Sequence, residues 1–400
     1  MNHIKPKHTI ITAHPFDPLG TKVGGIETHV RQTLRYKPES VRMIMIGIDD
    51  SGQLPLGEIT KKSISGIEYD FFPVMHGSNE TANHVAKKLS DSSTLNFFLG
   101  LFKYARKIKA LTTGLSYSFE IQRYEFAWFL KLMRLKYVLI THGDADPNQP
   151  LDTLLSKYWF LHQFNERHAV KGAQFIYSVS SEQTKRLKKD FPKRADDIDY
   201  MTVSVDDRLF KATPFQSLDG PLKIAFVGRL DTFKRPGMMF RVIKSLSDKL
   251  NGQIEFHYIG KSDPEKFTEF QEIKDKTVLH GFRNSEQISE LWKSFHMGIV
   301  TSTFEGWPVY VMEAICSGRP VVSVNLPQLI PVFEDEIAGK VFDRNNDSDE
   351  LVSEMSDKFI EYWKGIKNGS VDPIEVNSRI NCFKASTQMK EIFKCHVSGI

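Results

Sequence analysis

The sequence predicts an α/β protein with two doubly wound, Rossmann-like domains. Short apolar runs alternate with longer amphipathic segments along the chain, which is the pattern of buried parallel strands joined by helices. Several of these runs end in glycine or polar residues, as expected of strands that lead into ligand-binding loops. The 400 residues correspond to about two domains of ordinary size. A polar segment with proline and glycine, 213–221, reads as the linker.

The composition, 40% hydrophobic and 26% charged, is that of an ordinary globular protein. No apolar run approaches the ~20 residues that span a bilayer, and the amino terminus is too polar for a secretory signal. Cys316, Cys382 and Cys395 lie far apart, without the spacing of a zinc site or a disulfide framework. We therefore expect a cytoplasmic protein.

The net charge of +4 is divided unevenly along the chain. Residues 1–210 contain 29 lysines and arginines against 23 acidic residues, and residues 211–400 contain 24 against 26. The first half is therefore basic and the second mildly acidic. This asymmetry predicts that the first half meets an anionic partner.

A strand is predicted at His8–Ala13 and a helix from near Ile26 to Arg35. Gly24 and Gly25 lie between them, and because they lack Cβ they allow the backbone to approach a ligand such as phosphate. The loop is not GxGxxG, so a nicotinamide cofactor is not indicated. A tight turn without a ligand is the alternative for the two glycines.

His142 directly follows a predicted strand at Tyr137–Thr141, and the carboxyl ends of strands are where open α/β sheets bind ligands. A purely structural histidine is the alternative. Asp144 and Asp146 match a DxD metal motif, which we discount because the motif is short and Pro147 follows at once. Further strands are predicted in this half at 41–47, 66–74, 118–123, 173–179 and 199–205, with helices at 127–135 and 157–168.

Leu95–Leu111 predicts one amphipathic helix with aromatic anchors and a cationic face. Phe97, Phe98 and Phe102 are interleaved with Lys103 and nearby basic residues. Such a helix suits docking on an anionic membrane surface. The alternative is a core-facing helix with a solvated basic side.

In the second half, a strand at 223–227 leads into a loop with two cations, Arg229 and Lys234. Fixed cations after a glycine at a strand end suit a diphosphate, because they neutralise its charge; solvated loop residues are the alternative. Strands are also expected at 253–259, 277–280 and 339–342, with helices at 347–363 and 377–397.

Residues 297–325 predict a strand, a turn, a helix over Pro308–Ser317 and a second strand. Glu305 lies before this helix and Glu313 in its second turn. Free N–H groups at the helix start suit phosphate, whereas carboxylates accept hydrogen bonds from hydroxyls. Phosphate beside hydroxyls describes a sugar nucleotide; two helix-surface carboxylates are the alternative.

The Glu305 and Glu313 spacing resembles the EX7E motif of retaining glycosyltransferases of family 4, which have the GT-B fold. The flanking EGWP and MEAICSGRPVV, the segment GGIETHV at 24–30 and the GRL with Lys234 are similar to the same family. The resemblance covers most of residues 5–395. It implies two domains facing across a cleft: 1–212 for the acceptor, 213–376 for the nucleotide sugar, and a terminal helix at 377–400 crossing back.

The resemblance also implies roles for individual residues. The catalytic set would be His142, Arg229, Lys234 and Glu305. The donor-binding set would be Gly24, Gly25, Arg229, Lys234, Phe282, Glu305, Gly306, Trp307 and Glu313. No cofactor or metal is implied, since the cations and the helix end would neutralise the diphosphate.

The implied reaction moves a hexose from a nucleotide diphosphate sugar to a glycan acceptor, with retention at the anomeric carbon. The basic first half favours a lipid-linked acceptor at the inner membrane face, in surface polysaccharide assembly, over a soluble small acceptor; nothing indicates nucleic acid. Ser204 and the pair Trp307-Pro308 depart from the family's pattern. An inactive GT-B scaffold subunit and a GT-B sugar-nucleotide epimerase are the rival interpretations.

Overall fold

The computed structural model describes residues 6–22, 24–77, 92–142, 159–305 and 307–398. They form two compact units. The first contains the described residues up to Val203 and those from Gln388 onward, and the second runs from Ser204 to Thr387. The sequence placed the boundary at 212, nine residues later. Gly306 and the DxD segment at 144–146 lie outside the described residues.

The first unit is built on an eight-stranded sheet with the order β3-β4-β2-β1-β5-β6-β7-β8. All neighbouring pairs are parallel except β3 and β4, which form an antiparallel hairpin. The strands are β1 (His8–Ala13), β2 (Val41–Asp49), β3 (Thr60–Ile64), β4 (Ile67–His76), β5 (Tyr117–Ile121), β6 (Tyr137–Thr141), β7 (Phe175–Ser178) and β8 (Ile198–Tyr200).

The helices of the first unit cover the sheet. They are α1 (Gly25–Arg35), α2 (Ser93–Lys103), α3 (Ala105–Ala110), α4 (Phe126–Leu132), α5 (Trp159–Gly172) and α6 (Ser181–Asp190). The single helix expected over 95–111 is interrupted at Tyr104, whose φ of −105° and ψ of 18° leave the helical region. The ring of Tyr104 packs edge-on against Phe72 and over Gly57, where a Cβ would lie 2.3 Å from it.

The second unit has a six-stranded sheet that is parallel throughout, with the order β11-β10-β9-β12-β13-β14. The strands are β9 (Leu222–Val227), β10 (Ile254–Ile259), β11 (Thr277–Gly281), β12 (Met297–Val300), β13 (Val321–Ser323) and β14 (Gly339–Val341). One continuous apolar cluster, which includes Phe226, Phe256 and Trp292, fills the unit on both faces of this sheet.

The helices that follow are α7 (Pro236–Lys249), α8 (Ser285–Trp292), α9 (Val309–Cys316), α10 (Asp349–Asn368), α11 (Pro373–Ser378) and α12 (Ala385–Ser398). The single terminal helix expected over 377–397 is therefore wrong. Lys384 is extended because the N–H of Val205 bonds to the carbonyl of Phe383 and the N–H of Ala385 bonds back to Val205. A pairing of this kind requires extended backbone between the helices.

The two units thus share the predicted doubly wound α/β plan. Among the described residues, no helix is both long and apolar enough to cross a bilayer.

Candidate functional site

Each sheet has a switch point, where successive strands begin to add on the other side of the first strand. In the first unit it lies between β1 and β5, and in the second between β9 and β12. Parallel sheets bind ligands outside the carboxyl ends of the strands at such points. The loops that follow these four strands are therefore where a site is expected.

Lys234 follows β9 and Glu305 follows β12, so they come from the two strands that flank the switch point. Lys234 Nζ contacts Glu305 Oε1, and the two side chains are only 14% and 10% exposed. Ser302 Oγ donates to the same carboxylate oxygen at 2.8 Å. Gln328 Nε2 donates to the backbone carbonyl of Glu305 at 2.8 Å. The structure thus joins two of the sequence-predicted residues directly.

Arg235 fixes the loop that carries Lys234. It adopts the left-handed conformation, with φ of 49°, immediately before Pro236 opens α7. Its Nε donates to the carbonyl of Thr301 at 2.6 Å, and its guanidinium also bonds to Asn345. Thr301 Oγ1 donates to the carbonyl of Lys234 at 2.7 Å. The loops after β9 and β12 are tied together by these bonds, which holds Lys234 next to Glu305.

Arg229 follows β9 and Phe282 follows β11, the strands on either side of β10, and both side chains remain open to solvent. The Arg229 side chain is 77% exposed and pairs with Asp231 at 3.0 Å. Phe282 is 41% exposed, with Lys261 Nζ 4.5 Å from its ring centroid. The loops themselves approach closely, because a Cβ on Gly260 would lie 2.1 Å from the carbonyl oxygen of Gly228. A large planar or charged group could therefore be reached from β9, β10 and β11.

Glu313 lies in α9, eight residues beyond Glu305, and is partly buried. Burial, reinforced by the charge of Asp206, raises the pKa of Glu313 to about 7. The charge that shifts the pKa of Glu313 is therefore that of another carboxylate, Asp206, and not that of Lys234. Trp307 packs against Phe383 with ring centroids 4.9 Å apart. Pro308 precedes α9 and has no N–H to offer a ligand.

In the first unit, Gly24 and Gly25 begin α1 as the sequence suggested. A Cβ on Gly24 would lie 2.4 Å from Glu27 Oε2. A side chain at position 24 would therefore collide with the carboxylate of Glu27 where it lies. Glu27 Oε1 accepts from His14 Nε2 and from Lys22 Nζ, each at 3.2 Å. Burial alone would raise the pKa of Glu27, but His14 and Lys22 outweigh it and hold the pKa below its ordinary value.

His14 and His142 are neutral at physiological pH. Burial lowers the pKa of His14 to about 4, and Arg123 and Lys22 add to the lowering against Glu27. Burial also lowers the pKa of His142 to about 3, helped by His29 and His14. His142 Nδ1 lies 4.0 Å from where a Cβ of Gly25 would stand. Its Nε2 is buried without a hydrogen-bond partner among the described residues.

Several site residues were missed from the sequence. Glu27, His14 and Arg123 surround the loop after β1, and Ser302 and Gln328 hold Glu305. A signal existed for two of them: His14 directly follows a predicted strand, and Glu27 stands three residues after Gly24. Ser302 and Gln328 carry no such signal, because only the folded loops bring them to Glu305.

Comparisons with known proteins bear on the second unit and on the fold of the chain. Residues 209–363 match the family described as glycosyl transferases group 1. An uncharacterised glycosyltransferase of Methanocaldococcus jannaschii is 27% identical over 184 residues, which are 44% of this chain and 46% of that protein. The chain thus matches less than half the length of this relative.

Two solved structures resemble nearly the whole chain. Sucrose-phosphate synthase from Thermosynechococcus elongatus has a TM-score of 0.68 at 14% identity, covering 97% of this chain and 98% of its own. The Anabaena protein HepE in complex with UDP has a TM-score of 0.64 at 13% identity, covering 99% and 100%. The chain therefore has the GT-B fold, and its second unit contains the region that matches glycosyl transferases group 1.

Proposed function

We propose that the protein is a retaining glycosyltransferase of family 4 that moves a hexose from a nucleotide diphosphate sugar to a glycan acceptor. The observation that carries the proposal is the pairing of Lys234 with Glu305 at the switch point of the matched unit. A cation and a carboxylate held together here can bind the two parts of a nucleotide sugar. The cation binds the negatively charged phosphates, and the carboxylate accepts hydrogen bonds from the sugar hydroxyls.

Lys234 and Arg229 would bind the diphosphate. The bond between the anomeric carbon and the phosphate oxygen breaks in the reaction, and its electron pair leaves with the diphosphate. Cations placed beforehand stabilise that growing charge. Glu305 would accept hydrogen bonds from the sugar and stabilise positive charge on its ring. No metal or cofactor is required in this proposal.

Glu313 would hold the ribose hydroxyls and Phe282 would lie along the base. Gly306 and Trp307 would line the sugar pocket. Trp307 is fixed by its contact with Phe383, and Pro308 removes an N–H donor that other sequences of the family could use. The proposal therefore leaves the identity of the hexose to experiment.

The first unit would contribute Gly24, Gly25 and His142. Gly25 would admit the donor phosphates close to the backbone. A neutral His142 offers one hydrogen bond, from or to its buried Nε2, without adding charge. This suits contact with an uncharged sugar hydroxyl better than general base chemistry.

A panel of nucleotide sugars tests the reaction. We expect one of them to release its nucleoside diphosphate, and NMR of the product to show the anomeric configuration of the donor. Inversion would contradict the retaining assignment. Binding without turnover on any donor would favour the inactive scaffold, and conversion of the donor into an isomer would favour the epimerase.

The acceptor proposal rests on α2. Leu95, Leu99 and Phe102 form an exposed apolar stripe at helical spacing, with exposed fractions of 38%, 57% and 38%. Lys103 and Arg106 follow it and are exposed as well. Apolar anchors with flanking cations suit the surface of an anionic membrane, which would place the protein at the inner membrane face with a lipid-linked surface-polysaccharide precursor.

Liposome flotation tests this part separately. Vesicles with anionic lipid should retain the protein at low salt, and Leu99→Gln should weaken retention. Leu132→Gln, which changes an exposed leucine outside the stripe, is the matched control. Equal retention by neutral and anionic vesicles, or none by either, would leave a soluble acceptor as the better proposal.

A further inference from the structure

A chain of buried polar groups runs along one face of β5. Side chains two residues apart on a strand share a face, as Ser118 and Glu120 do here, and the exposed Ser116 directly precedes the strand. Ser118 and Glu120 are 3% and 0% exposed. They meet His8 from β1 and His396 from α12, both of which are 2% exposed. Polar groups this deeply buried are retained only if they are hydrogen-bonded.

The distances define a continuous series of hydrogen bonds. Ser116 Oγ lies 2.9 Å from His8 Nδ1, and His8 Nε2 lies 3.0 Å from Ser118 Oγ. Ser118 Oγ lies 2.6 Å from His396 Nδ1. His396 Nε2 lies 3.1 Å from Glu120 Oε2. The series therefore ends on a carboxylate.

One assignment of protons gives every bond in this series one donor and one acceptor. An ionised carboxylate only accepts, so His396 donates from Nε2 and accepts at Nδ1. Ser118 must then donate to His396, and it receives a bond from His8 Nε2. Ser116 donates to His8 Nδ1 in turn. All the bonds point in one direction, toward Glu120.

Glu120 also connects this chain to the site. Its second oxygen, Oε1, lies 3.4 Å from His29 Nε2. Burial alone would raise the pKa of Glu120, but His29 and His396 outweigh it and keep the carboxylate ionised. The His29 ring meets the His142 ring edge-on, with centroids 5.5 Å apart and an interplanar angle of 66°. Packed rings of this kind restrict each other's orientation.

We propose that His396 is a positioning residue: through Glu120 and His29 it holds the ring of His142, so that the end of α12 completes the active site. The inference rests on the proposed function for the catalytic use of His142, but not for its positioning. If His396 only anchored the helix, any loss of packing along α12 would act in the same way.

Matched variants separate these two roles. His396→Phe keeps a ring but removes both hydrogen bonds, and His396→Gln retains a donor for Glu120. Ile392→Ala weakens the packing of the same helix, since Ile392 is 1% exposed, but removes none of these hydrogen bonds, because the isoleucine side chain has no polar atom. Circular dichroism and thermal unfolding show which variants are folded. If His396→Phe does not fold, Glu120→Gln alters the same series of hydrogen bonds and is tested in its place.

The first readout is the rate at which diethyl pyrocarbonate modifies His142, followed by peptide mass spectrometry. His396→Phe should raise this rate several-fold, because the ring is no longer held, whereas His396→Gln and Ile392→Ala should leave it close to wild type. An unchanged rate in both His396→Phe and Glu120→Gln, or an equal rise in Ile392→Ala, overturns the proposal.

The second readout is sugar transfer. His396→Phe should lower kcat on the order of tenfold to a hundredfold, because small misplacements at a reacting centre have effects of this size, while KM for the donor changes little. Wild-type protein that shows no transfer on any donor would count against the proposed function alone, since the modification rates still decide the positioning of His142.

Discussion

The two switch points of this protein share a lysine–glutamate pair, Lys234 with Glu305 in the second unit and Lys22 with Glu27 in the first, and differ in the groups around it. Between β9 and β12, the loops bring together a lysine and a glutamate, with a second cation, Arg229, open to solvent. Between β1 and β5, His14 and Glu27 occupy the corresponding place, and the histidine is neutral. The second unit adds the exposed cation Arg229 to its pair, whereas the first adds the buried and neutral His14.

The two switch points therefore offer different groups to a ligand. A lysine keeps its charge across the physiological range, as the neutralisation of a diphosphate requires. A neutral histidine can donate or accept one hydrogen bond but contributes no charge. The second switch point thus offers the exposed cation Arg229 to a charged ligand, and the first adds the neutral ring of His14 to its ion pair.

The strongest test of the comparison is Lys234→Met, which keeps the side-chain stem and removes the charge. We expect kcat for nucleoside diphosphate release to fall by about 10²–10³, which is typical for the loss of one preorganised charge-stabilising group. Removing the lysine also leaves Glu305 without its cation, so donor binding should weaken too. Steady-state kinetics with the donor found in the panel measures both effects.

Lys244→Met is the matched control, because Lys244 lies on α7 as an exposed residue paired with Asp248. It should leave kcat within about twofold, as expected for a surface substitution away from the site. Comparable losses in the two variants would show that α7 matters through stability, and the contrast between the switch points would lose its basis.

The second prediction concerns the histidine side of the comparison. Because the pKa of His14 is lowered to about 4, the folded state prefers the neutral form. Its contribution to stability is full above the ordinary pKa of about 6.5 and is lost as the pH falls toward 4. We therefore expect His14 to account for about 2 kcal/mol of lost unfolding free energy between pH 7 and pH 5.

Denaturant unfolding of wild type and His14→Gln at the two pH values measures this contribution. The variant should lose less stability on acidification than the wild type. Parallel acid curves for wild type and His14→Gln would mean that the pKa of His14 is the same in the folded and unfolded states.

Much of the fold could be predicted because its determinants are local. Buried parallel strands are apolar along their whole length, and β1, β6 and β12 were placed on that signal. The hairpin strand β3 was missed, since TKKSI is mostly polar and only its last residue is buried. Ser65 and Gly66, both with positive φ, form the two-residue turn that could have indicated it. The breaks at Tyr104 and Lys384 depend on contacts distant in sequence.

The site residues also fall into those that local sequence motifs predict and those that depend on distant contacts. Lys234 and Glu305 stand in motifs that can be read along the chain, and the structure places them in contact. The sequence gives Arg229 and Lys234 equal weight, but the fold buries one and exposes the other. The contacts of His14 and Glu27, and the series of hydrogen bonds that ends at Glu120, could not be predicted beforehand, because the partners come from β1, β5, α1 and α12.

The smallest expected effect lies with Glu313, whose carboxylate titrates near neutrality. Its pKa of about 7 means that it changes from mainly protonated at pH 6 to mainly ionised at pH 8. If the ionised form accepts bonds from ribose hydroxyls, affinity for the nucleotide sugar should rise about tenfold over this range. Calorimetry with the intact nucleotide sugar avoids titration of a terminal phosphate. Glu313→Gln should bind the nucleotide sugar weakly and independently of pH. If the variant keeps the wild-type pH dependence, the titrating group is not Glu313.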